Sequence, residues 1–126
     1  MNPAEQKWPE LCATAEREIA ELLAELPAPL RERADSVPVL LEPRPSAALQ
    51  AEGIEADTLG LFTGPGWAEA GDEPLPPQII LYLVNIQEQA ETTGQRLGDE
   101  IRTTFLHELG HFLGLEEGDL TERGLE

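Results

Sequence analysis

The sequence predicts an α+β fold: a small mixed β-sheet packed against an N-terminal helix and against a second long helix near the C-terminus. Three observations lead there. Apolar residues recur every three or four positions at both ends of the chain, short aliphatic runs separated by prolines and glycines fill the middle, and 40% of the 126 residues are hydrophobic. A chain of this length buries one core, so residues 1–126 are expected to form a single domain.

From the N-terminus, Trp8, Leu11, Ala15, Ile19, Leu22 and Leu26 repeat at alternating steps of three and four, the stripe of an amphipathic helix that tolerates Pro9 in its first turn. Glu10, Glu16, Glu18, Glu21 and Glu25 fill much of the remainder. The stripe is expected to pack on the domain's own sheet. Pro27 and Pro29 end the helix, and Leu30 to Ala34 adds a turn or two. Val37 to Leu41 reads as a first strand, which Pro38 places at an edge or at a strand start.

Ser46 to Glu52 reads as a short helix with Ser46 as N-cap and Gly53 as stop, and Leu59 to Phe62 as a second strand. Thr63 to Pro77, rich in glycine and proline, is expected to be a long loop, with Trp67 either lining a cleft or pinning the loop to the core. Ile79 to Val84 is apolar without alternation, as in a strand covered on both faces. Glu88 to Arg96 reads as a short helix or a loop. The last strong element starts near Gly98 or Asp99 and runs to about Leu113, with Asp99 and Glu100 suited to a helix N-terminus.

Composition excludes several classes of function. With a net charge of -17 and only eight Lys and Arg, the chain has no surface for phosphates, so no nucleic-acid partner is expected. A basic substrate or partner is compatible with that charge, as is a plain solubilising surface. No stretch is apolar and long enough to span a bilayer, and the N-terminus lacks the layout of a secretory signal, so a cytoplasmic protein without membrane contact is expected. The single cysteine, Cys12, excludes an internal disulfide framework and reads as a helix residue without chemistry. Nothing in the sequence reads on oligomeric state.

The only two histidines, His107 and His111, stand in His107-Glu108-Leu109-Gly110-His111, an H-E-x-x-H string on the last helix. Ile101, Phe105, Leu109 and Phe112 make that helix's apolar stripe, so the histidines lie on roughly the opposite side. Four residues apart, both imidazoles share one face and can converge on one zinc ion, with Glu108 placed to act as general base on its water. Gly114 allows a sharp turn after the helix, and the string through Glu117 fits H-E-x-x-H-x-x-G-x-x-(H/D/E), which makes Glu117 the candidate third metal ligand. Glu116 and Asp119 are its competitors. Three protein ligands leave a fourth position open, the arrangement of a catalytic rather than a structural zinc.

This string resembles the signature of the small bacterial zincin-like metallopeptidases, minimal zincins of the H-E-x-x-H-x-x-G-x-x-D type. Val37-Pro38-Val39-Leu40-Leu41-Glu42, the segment Leu59 to Gly64, the segment Pro77 to Tyr82, and Arg102 to Glu108 follow in the order expected of that family, a similarity covering roughly residues 8–120. The resemblance implies a minimal zincin-like fold, a Zn(2+) cofactor, a peptide or protein substrate, and metalloprotease chemistry with an extended substrate paired to an edge strand, either Leu59 to Phe62 or Ile79 to Val84. Two departures stand out. Glu117 occupies a position where the family usually has aspartate, and Met1 is the only methionine, so the Met-turn of larger metzincins is missing. With no third histidine, the candidates for stabilising an oxyanion are Tyr82, which also reads as core, and Arg96, Arg102 and Arg123. Two other readings remain: a zinc-binding module with little catalysis, and an acidic protein that mimics nucleic acid.

Overall fold

The computed structural model describes residues 7–64 and 76–114. Trp67, Glu116, Glu117, Asp119 and Arg123 lie outside the described residues. Helix α1 spans Trp8–Glu25 and α2 Ala28–Ala34. They are followed by strand β1 (Val39–Glu42), helix α3 (Ala47–Ala51), strands β2 (Gly60–Thr63) and β3 (Gln78–Tyr82), and helices α4 (Leu83–Thr93) and α5 (Leu97–Leu113). Together these make a small α+β fold with a mixed sheet. No helix among the described residues is long and apolar enough to cross a membrane.

The sheet has the order β1-β3-β2, with β1 parallel and β2 antiparallel to the central β3. Strand β3 earns its central place by composition: Ile79, Ile80, Leu81 and Tyr82 are all buried. Proline explains why β1 is an edge. Pro38 has no N–H to offer, yet its carbonyl accepts from the Ile79 N–H (3.0 Å), so it sits just before the strand as its sequence position predicts. Ser46 caps α3 as expected, its hydroxyl accepting from the Leu49 N–H at 3.2 Å.

The apolar run Ile79 to Val84 is divided. Its strand ends at Tyr82, and Leu83 and Val84 open α4, which begins five residues before the polar segment in which a helix was expected. A continuous apolar run has no period, so it does not distinguish a buried strand from a buried first turn. Burial of Leu83, Val84 and Ile86 holds this junction, and the Asn85 amide secures it. Asn85 donates to the Ala56 and Thr58 carbonyls (2.8 and 2.9 Å) and accepts from Arg44 (2.7 Å), fixing the chain that leads into β2.

Helices α4 and α5 pack on the sheet, and α1 packs mainly on α5 instead of on the sheet expected for its stripe, because α5 lies between them; the shared cluster includes Leu11, Ala15, Leu22, Ile79, Leu81, Ile86, Ile101, Phe105, Leu109 and Phe112. The stripes predicted for α1 and α5 meet there. Glu18, however, is only 8% exposed, although it was placed on the polar side of α1. Its partner is Arg102 of α5, whose Nε lies 2.9 Å from Glu18 Oε1 while its terminal nitrogens reach Glu25 (3.0 Å) and Glu21 (3.4 Å).

Removing Arg102 leaves that nearly buried carboxylate without its cation, whereas Glu21 and Glu25 are exposed and contribute little. Arg102→Ala is therefore expected to lower stability by about 2–3 kcal/mol, read from the urea midpoint. Arg17 touches Glu18 only at 3.8 Å and is largely exposed, so Arg17→Ala should shift the midpoint by less than about 0.5 kcal/mol. Equal effects from the two would dismiss the Glu18–Arg102 pair as the link between α1 and α5.

Candidate metal centre

Helix α5 presents two faces. Ile101, Phe105, Leu109 and Phe112 enter the core, while His107 and His111 project outward and are exposed. One helical turn separates the two rings, which meet edge to face with centroids 4.7 Å apart. Their Nε2 atoms approach to 3.2 Å. Two neutral imidazoles hold that distance only if one donates and the other accepts, so the pair satisfies half of its capacity by itself. A shared cation satisfies both.

The distance suits zinc. Zn–N bonds of about 2.0–2.1 Å at tetrahedral angles place two ligand nitrogens roughly 3.3 Å apart, close to the separation observed. Two histidines do not complete a site, and no group of three or more His, Cys, Asp or Glu able to hold a metal occurs among the described residues. Helix α5 ends at Gly114, whose φ of +74° is the left-handed conformation expected for the turn after the motif. Glu117, the candidate third ligand, lies beyond it, outside the described residues, as do its competitors Glu116 and Asp119.

Glu108 is only 9% exposed, between α5 and strand β2. Burial pushes its pKa above the ordinary carboxylate value, while His107, His111 and the Phe62 backbone N–H pull the other way. That N–H is available because of register. The Tyr82 N–H donates to the Leu59 carbonyl (2.9 Å), so Leu59, Leu61 and Thr63 share hydrogen bonds with β3, and alternation turns the backbone groups of Gly60 and Phe62 to the other edge, which is free of strands among the described residues. The Phe62 ring packs on Phe112 of α5 at 5.9 Å and holds the strand over the helix.

Gly60 makes the approach of strand to helix possible. A Cβ there would stand 2.9 Å from Thr104 Cγ2 and 3.1 Å from Glu108 Cγ. Glycine inside a predicted strand was the sequence signal for this close approach, and it went unread. Leu59, Gly60, Glu100, Thr103, Thr104, His107 and Glu108 line an open cleft of about 260 Å³ beside the histidines. Neither Phe62 nor Glu100 was singled out for the site in the sequence: Phe62 acts through a contact distant along the chain, whereas Glu100, about two turns before His107 on the same helix, was read only as suited to the helix N-terminus.

The expected oxyanion donors fare differently. Arg102 is held by the α1 carboxylates, and Arg96 stands at the start of α5, three turns before His107. Tyr82 is fully buried in the central strand, its hydroxyl without a hydrogen-bond partner among the described residues and its pKa raised by burial and then by Glu42. Arg123 lies outside the described residues. Strand β3 cannot pair with a substrate, having neighbours on both sides, which leaves β2 of the two strands considered.

A helix bearing two convergent imidazoles and a carboxylate, tucked under a sheet edge, is the arrangement that H-E-x-x-H zinc peptidases use. A family model for zincin-like metallopeptidases matches residues 34–125, well over half of the chain, and the protein belongs to that family. The match begins within α2, so α1, which the sequence resemblance included, lies outside it. No curated protein matches the chain.

Proposed function

We propose that this protein is a zinc-dependent peptidase in which His107, His111 and Glu117 hold the metal and Glu108 is the general base. The observation that carries the reading is the 3.2 Å approach of the two Nε2 atoms directly beside a buried glutamate. When bound by these residues, zinc would supply a water with its pKa lowered to about 7 and a Lewis acid for the scissile carbonyl. Glu108 takes the proton of the attacking water and later delivers it to the leaving amine. Its placement supports both transfers: the nearly buried carboxyl stands one residue from His107 and three from His111, under strand β2. Gly60, and the carbonyl of Phe62, remain on the free edge of β2 to pair with an extended peptide.

Removal and return of the metal test the proposal. Hydrolysis of a degenerate peptide library is expected to disappear after treatment with a chelator and to return with one equivalent of zinc. Undiminished hydrolysis by metal-stripped protein would sink the reading. A second reading, a zinc-binding module with little catalysis, draws support from the position of Arg102 and Tyr82: neither is free to stabilise an oxyanion. Its signature is stoichiometric zinc and no cleavage of any library peptide.

A further inference from the structure

The cleft beside the histidines extends along α5 from Glu108 to Glu100, and its chemistry changes along the way. Near Glu108 its walls are the Gly60 backbone and the Thr104 methyl; Leu59 and Thr103 also line it, and Glu100, about two turns up the helix from Glu108, marks the far end. A long aliphatic stem with a cationic tip matches that sequence of surfaces. No ion pair among the described residues engages Glu100, whose closest polar contact is the Thr93 hydroxyl, donating at 3.4 Å. Glu100 and His107 are seven residues apart, about 10 Å along the helix. That is within the combined reach of a lysyl or arginyl side chain and the glutamate's own arm.

From this geometry, and resting on the peptidase reading, we infer that the cleft is a specificity pocket for a lysine or arginine that immediately follows the scissile bond, with Glu100 as the charge that selects it. The inference includes a direction: the peptide adds antiparallel to β2, which itself runs from Gly60 to Thr63, so the substrate runs from the Phe62 end toward the Gly60 end and residues after the scissile bond lie over the Leu59–Glu100 side. The net charge of -17 favours the same substrates by drawing cationic peptides toward the surface. Small side chains leave Glu100 unreached, and acidic ones are repelled.

Binding and cleavage are measured separately. Zinc-loaded Glu108→Gln protein is titrated by calorimetry with matched peptides carrying lysine, norleucine or glutamate at one central position. The lysine peptide is expected to bind about fivefold more tightly than the norleucine peptide. Glu100→Gln, added to Glu108→Gln, should erase that ratio, and Glu100→Lys should invert the order of the lysine and glutamate peptides. Mass spectrometry of wild-type digests of a degenerate library should find lysine or arginine at the new N-termini. Equal binding of lysine and norleucine peptides, a ratio that survives Glu100→Gln, or new N-termini without a basic preference overturns the pocket while leaving the peptidase standing. Absence of all cleavage instead overturns the peptidase reading, and the calorimetric ratio still decides what the cleft selects.

Discussion

Replacing His111 with alanine is expected to lower zinc affinity on the order of a thousandfold or more, because loss of a ligand exceeds the 10–100-fold typical of losing a group that merely orients one. The same is expected of His107→Ala. Each ring is exposed, and each has the other's Nε2 as its hydrogen-bonding neighbour, so neither substitution opens a cavity in the core. The metal-free variants should therefore unfold at nearly the wild-type temperature, whereas the rise in Tm that zinc gives the wild type should vanish at the same zinc concentration. Chelator competition supplies the affinity. Glu117→Ala should weaken binding as well, and Glu116→Ala should change it only modestly. Loss of zinc in Glu116→Ala with retention in Glu117→Ala would transfer the third-ligand role, and wild-type affinity in His111→Ala would remove the histidine pair from the site altogether.

That prediction rests on the part of the site most legible in the sequence. The spacing of His107 and His111 is a local property of one helix, and a helix converts four residues into one turn wherever it occurs. The stripes of α1 and α5 were legible for the same reason. What the sequence did not disclose depends on partners far along the chain. Glu18 looked like one of several solvated acids until α5 brought Arg102 to it across 84 residues. Phe62 acts on Glu108 through its backbone N–H, which belongs to no side chain and becomes available only because the register of β2 turns it to the free edge. Of the two strands considered for substrate pairing, only the sheet order eliminates β3. Gly60 was the exception, a visible signal of close approach that a reading by apolar runs passes over.

The burial that hides Glu108 also makes its role separable from its packing. Glu108→Gln is expected to reduce kcat by about 10²–10⁴-fold, the usual contribution of a positioned general base, with little change in KM or zinc affinity. Glutamine has nearly the same volume as glutamate and retains an oxygen that can accept from the Phe62 N–H, so strand β2 should keep its seat on α5. It cannot take up the proton of the attacking water. Because burial disfavours the charged carboxylate, removing that charge should leave the metal-free protein at least as stable as the wild type. A drop in activity accompanied by a fall in Tm or by lost zinc would mean that the substitution damaged the site rather than the proton transfer. Glu108→Ala is the less informative change, since it empties space against Gly60 and Thr104 and lets the strand settle. Activity within a few-fold of wild type in a zinc-replete, fully folded Glu108→Gln protein would remove Glu108 from the chemistry and turn attention to a carboxylate beyond Gly114.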